Sequence, residues 1–168
     1  MGGVNGAEAL KALYALQEKD LEIDRLRAEA ESLPEELVAL QGQVETLEER
    51  LTNLLERRAE LEREYDRHSL DIEDLSAKEK QAEEEQKRAQ SAREQTQYEN
   101  RIQQIKDRIR ELLELSTPIM EAMENLEAEI AQVEEELAAL RPRLQELLEA
   151  NRARVAELQG KRQKLLVH

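Results

Sequence analysis

Few residues in this chain are of types that do chemistry, and they lie far apart. His68 is the only histidine before the last residue, and Tyr65 precedes it by three positions. With no cysteine anywhere in the chain, a zinc ion would find one imidazole where tetrahedral sites need three or four donors. His68 therefore reads as a polar position in a packed seam, layered with Tyr65 and Ser116 to fix register. Glu83-Glu84-Glu85 and Glu134-Glu135-Glu136 would attract divalent cations only weakly. Neither has the glycine-turned loop of a calcium site, and both read as solvated helix faces. Catalysis needs convergent groups in a concave pocket, and phosphate-cradling glycine loops are absent. The expectation is no enzyme, no cofactor and no metal site in these residues.

Two sets of basic and amide side chains remain. Arg152, Arg154, Lys161, Arg162 and Lys164 lie in Arg141–His168, where seven basic residues face three acidic ones. They are candidate phosphate contacts, although a net charge of −14 opposes binding to nucleic-acid backbones, which depends on basic charge. Arg88, just before the polar stretch Ala89–Gln97, and Arg93 and Gln97 within it are candidate contacts for a protein partner.

The elements that must position these groups are helical. The 168 residues include only three aromatics, Tyr14, Tyr65 and Tyr98, and 38% are charged, a composition suited to long helices and coiled coils. Leu33, Leu37, Leu40, Val44, Leu47, Leu51 and Leu54 alternate steps of four and three. The series continues through Arg58, Leu61, Tyr65, His68, Ile72 and Leu75, then fades at Glu79 and Ala82. A second series runs from Tyr98, Ile102, Ile105, Ile109 and Leu112 through Ser116, Ile119, Met123, Leu126, Ile130, Val133, Leu137, Leu140, Leu144 and Leu147. It decays through Asn151, Arg154, Leu158, Lys161 and Leu165. A seven-residue apolar repeat held for this long calls for a left-handed coiled coil.

The fold expected is all-α, a long antiparallel coiled-coil hairpin kinked near Pro34, Pro118 and Pro142. Residues 1–6 form a frayed glycine-rich leader, 7–88 the first arm, 89–97 the tip and 98–168 the second arm. Ser32 and Glu35 have the form of a capping box at a break near 32–34, with Leu26 and Leu33 kept in phase. Folding about the tip sets residues whose numbers add to about 185 opposite each other. Gly42 then faces Pro142, where a kinked neighbour would use the missing side chain. Charge agrees: Glu111–Leu140 holds nine acidic residues and no basic one, opposite Arg50, Arg57, Arg58, Arg63 and Arg67. A continuous parallel dimer is the rival, weakened by charged residues at seam positions between Glu79 and Gln97. Exposed Leu21, Leu55, Leu113 and Leu148 beside the seam leave room for homo-oligomers.

Leu13-Tyr14-Ala15-Leu16-Gln17-Glu18-Lys19-Asp20-Leu21-Glu22-Ile23, then Leu33-Pro34-Glu35-Glu36-Leu37, then Gln97-Tyr98-Glu99-Asn100-Arg101-Ile102-Gln103-Gln104-Ile105 form a set. Together they resemble the opening, the break and the second-arm start of a bacterial family that joins a helical hairpin to a C-terminal four-cysteine zinc ribbon. Gln97 and Gln104 stand where that family has acids, and no cysteine of the ribbon lies in this chain. The resemblance implies zinc only if a ribbon exists in the full protein. It also implies a role as a chaperone-like adaptor for an alternative sigma factor or secretion components, or in nucleic-acid binding. The reading from sequence is thus a cytoplasmic, non-enzymatic adaptor that docks partners through its tip and faces. The alternatives are a nucleic-acid binder led by a ribbon outside these residues and a structural spacer rod.

Overall fold

The computed structural model describes the backbone from Gly2 to Val167 and side chains from Gly6 to Val167. Three helices follow in order: α1 over Gly2–Glu31, α2 over Glu35–Arg88 and α3 over Ala92–Val167. No strand occurs among the described residues. The fold is all-α, a helical hairpin, and it divides into two units: Glu48–Glu135, and Met1–Leu47 with Glu136–His168.

In the first of these units the end of α2 turns through Ala89-Gln90-Ser91 and returns as the start of α3. Leu61, Ala82, Ile102, Ile105, Leu112, Ile119, Ile130 and Val133 are buried between the two helices. Each is a seam position of the heptad series. Burying a side chain of the Leu, Ile or Val type stabilises by about 1.5–3 kcal/mol, so this stripe is the adhesive and the charged faces are its boundary. Two ion pairs cross the seam, Arg58 Nη1 to Glu127 Oε1 at 3.1 Å and Lys106 Nζ to Glu79 Oε1 at 3.8 Å. Both pairs have numbers adding to 185, the register read from the sequence.

In the other unit, Leu26 of α1, Leu37, Leu40 and Val44 of α2, and Leu137 and Leu158 of α3 are buried. Arg143 of α3 donates to Glu36 of α2 at 2.8 Å. That hydrogen bond, with the charge behind it, raises the guanidinium's already high pKa. Such exposed pairs hold register more than stability.

Several local expectations change. α1 starts at Gly2, so residues 2–6 of the glycine-rich stretch expected to fray are helical, and Met1 lies outside the described residues. No glycine among the described residues has positive φ, and helix costs glycine only about 1 kcal/mol relative to alanine. The break does lie at residues 32–34, but Ser32 does not cap α2. Its Oγ donates backwards to the Glu29 carbonyl at 2.9 Å, and its N–H to the Ala28 carbonyl at 3.0 Å. Ser32 thus finishes α1, and the Pro34 carbonyl opens α2 by accepting Val38 N–H at 3.1 Å. Leu33, expected in the seam, is 54% exposed because the break releases it from helical phase. Gly42 faces open space, so no kinked neighbour occupies its missing side chain.

Pro118 and Pro142 lie inside α3, which runs through both without interruption. Both are exposed, so the carbonyl each leaves without a helical donor can reach water. Just before Pro118, Ser116 and Thr117 donate their hydroxyls to the Leu112 and Leu113 carbonyls at 2.8 and 3.2 Å.

Candidate functional site: the hairpin turn and the polar seam

The turn is built by its own side chains. α2 ends at Arg88, where Ala89 N–H bonds the Gln86 carbonyl at 3.1 Å. Ser91 then caps α3. Its Oγ accepts Glu94 N–H at 3.1 Å, while Glu94 Oε2 accepts Gln90 N–H at 3.3 Å. One N–H that the helix start leaves orphaned and the Gln90 N–H just before the cap are satisfied this way, an arrangement close to a capping box. Gln86 Nε2 reaches across the turn to the Gln95 carbonyl at 3.5 Å. The non-helical tip is therefore three residues long, not the nine of 89–97, because Ser91-Ala92-Arg93-Glu94 is a helix start followed by good helix formers.

Arg88 is the last residue of α2, and Arg93 and Gln97 belong to α3. All three are exposed. Behind them Ala82 is buried at 3% exposure, and Tyr98 is half-buried. The negative charge of Glu85 pushes the Tyr98 phenol above its usual pKa, and partial burial and a hydrogen bond to the same carboxylate act in the same direction. An α2 carboxylate and an α3 hydroxyl thus influence each other across the base of the turn.

The polar seam layer takes a different form from the one expected. Ser116 is buried, but its hydroxyl serves the Leu112 carbonyl of its own helix. His68 Nδ1 is buried with no hydrogen-bond partner, and Nε2 stands 4.0 Å from Glu64 Oε1. Tyr65 is half-buried and lines a shallow apolar groove with Met120, Met123, Glu124 and Glu127. The three residues lie near one level of the seam without a hydrogen-bonded network joining Ser116 to His68 Nδ1. Among the described residues no cluster of three or more His, Asp or Glu side chains could hold a metal ion.

The basic residues near the end of α3 are not one surface. Arg154 Nη1 donates to the Glu29 carbonyl at 2.9 Å, and Nη2 to the Ser32 carbonyl at 2.8 Å and to Asn151 Oδ1 at 2.9 Å. It closes the C-terminal end of α1, where carbonyls lack helical donors and the helix dipole favours a cation. A phosphate would have to displace it. Lys161 pairs with Glu157 at 3.5 Å, and Arg162 is half-buried with Nε unbonded. Arg152 and Lys164 are exposed. The capping roles of Ser91 and Glu94 and the anchoring role of Arg154 are the residues that the heptad reading missed.

Comparisons with known proteins add no relative. A scan against protein-family models and searches of curated proteins and solved structures gave no match. No helix among the described residues is long and apolar enough to cross a membrane.

Proposed function

We propose that this chain is a non-enzymatic adaptor of the cytoplasm, presenting its hairpin turn and adjoining helix faces to protein partners. The observation that carries this reading is a three-residue turn whose orphan donors are satisfied internally, with Arg88, Arg93 and Gln97 left exposed beside it. The backbone at the bend is thus fixed while these side chains are open to solvent. Two guanidinium groups so placed suit a partner that offers carboxylates, which arginine engages by paired hydrogen bonds. The likeness to the hairpin–ribbon family adds the class of partner: an alternative sigma factor or a secretion component, with zinc only if a ribbon exists in the full protein.

The test is quantitative capture, with the chain and an Arg88→Ala/Arg93→Ala/Gln97→Ala variant as parallel baits for a purified alternative sigma factor and secretion components. The variant should remain as helical by circular dichroism and lose the captured partner. Equal capture by both baits would contradict the tip assignment and favour the spacer reading. Direct phosphate binding is not advanced, because Arg154 is committed to α1 and Lys161 to Glu157.

A further inference from the structure

α1 carries two apolar faces, and the hairpin uses one. Leu26 is buried at 5% exposure, with Glu22, Ile23 and Ala30 half-buried on the same side. At 100° per residue the other face collects Leu10, Leu13, Tyr14, Gln17 and Leu21. Leu10 and Leu21 are each 69% exposed, Tyr14 66% and Leu13 54%. Leu10, Tyr14, Gln17 and Leu21 are spaced by four, three and four, a second heptad seam with nothing packed on it. A shallow groove runs along it, lined by Leu10, Lys11, Tyr14, Ala15 and Glu18.

We infer that this face binds a second copy of the chain, with the two α1 helices packed antiparallel. The argument is charge. Lys11 and Glu18 lie on one flank of the seam, seven residues apart, and neither joins an ion pair among the described residues. In an antiparallel pair like flanks meet, so each Lys11 approaches the partner's Glu18, twice over by symmetry. The same arrangement layers Leu10 against the partner's Leu21 and Tyr14 against the partner's Gln17. A parallel pair would set each Glu18 against the flank that carries Leu13 and Asp20, with no opposite charge to meet. A symmetric pair that buries these side chains covers about 1,000–1,200 Å², the size of a weak, concentration-dependent interface.

Sedimentation equilibrium of the whole 168-residue chain tests this, with circular dichroism confirming helix content. The wild type should form a dimer at micromolar to submillimolar concentrations, and Leu10→Glu/Leu21→Glu should be monomeric with unchanged helicity. Lys11→Glu alone and Glu18→Lys alone should each weaken the dimer about five- to tenfold, and the double exchange Lys11→Glu/Glu18→Lys should restore it. A monomer at all concentrations, or a dimer indifferent to Leu10 and Leu21, would overturn the inference. Loss on single exchange without rescue by the double would overturn the antiparallel arrangement.

Discussion

Arg154 shows how one side chain holds two elements together. Its guanidinium satisfies the carbonyls of Glu29 and Ser32 at the end of α1, so Arg154→Ala leaves both without that donor. The expected loss is about 1–2 kcal/mol, read as a lower urea midpoint, and Arg154→Lys should recover only part because an ammonium lacks the rigid planar fork that spaces two donors for the two carbonyls. Gly42 is the converse: helical, exposed and with open space where a Cβ would stand. Gly42→Ala should stabilise by about 0.5–1 kcal/mol, measured in the same denaturation. Tyr98 carries a pH dependence. Its pKa is raised in the folded chain, first by the charge of Glu85. Its contribution is therefore complete below the ordinary tyrosine pKa of about 10 and is lost as pH climbs through the raised value. In a Tyr14→Phe/Tyr65→Phe background, phenolate absorbance reports Tyr98 alone, and Glu85→Gln should lower its midpoint.

At the scale of elements, the helices were legible in the sequence and their ends were not. The alternation of four and three from Leu37 to Leu75 and from Ile102 to Leu147 marks side chains that are all buried or half-buried, because a heptad reports directly on a packing face. Ends depend on which of several polar side chains reaches an orphan backbone group. Ser32 and Ser91 show this. Each is followed three residues later by a glutamate, at Glu35 and Glu94, yet only Ser91 receives the helix N–H. Ser32 is held by α1 and, through its carbonyl, by Arg154, a partner 122 residues away that no local pattern reveals. Ser91→Ala should therefore cost about 1 kcal/mol, and Ser32→Ala much less, by thermal unfolding. His68 fits the same logic within the seam. With Nδ1 buried and unpartnered, it is retained at a cost, and His68→Leu should raise stability by about 1 kcal/mol.

For the whole molecule, the distribution of charge favours antiparallel arms. The acidic run from Glu111 to Leu140 and the arginines of α2 call for opposite directions, and Arg58–Glu127 is one pair in which they meet. The candidate site was less legible. Arg88, Arg93 and Gln97 were found as polar residues beside an apolar gap, but the capping that holds the turn beside them depends on Ser91 and Glu94. The adaptor reading requires a hairpin that returns on itself at Ala89-Gln90-Ser91, since a continuous parallel helix would present no turn. Because the chain has no cysteine, Arg58→Cys/Glu127→Cys introduces the only two thiols, and a short bismaleimide can join them at low protein concentration. The hairpin predicts a crosslink within one chain, absent when the second cysteine replaces Glu134 one heptad further on. Crosslinks only between chains, or equal yield from the shifted pair, would contradict the fold on which the function rests.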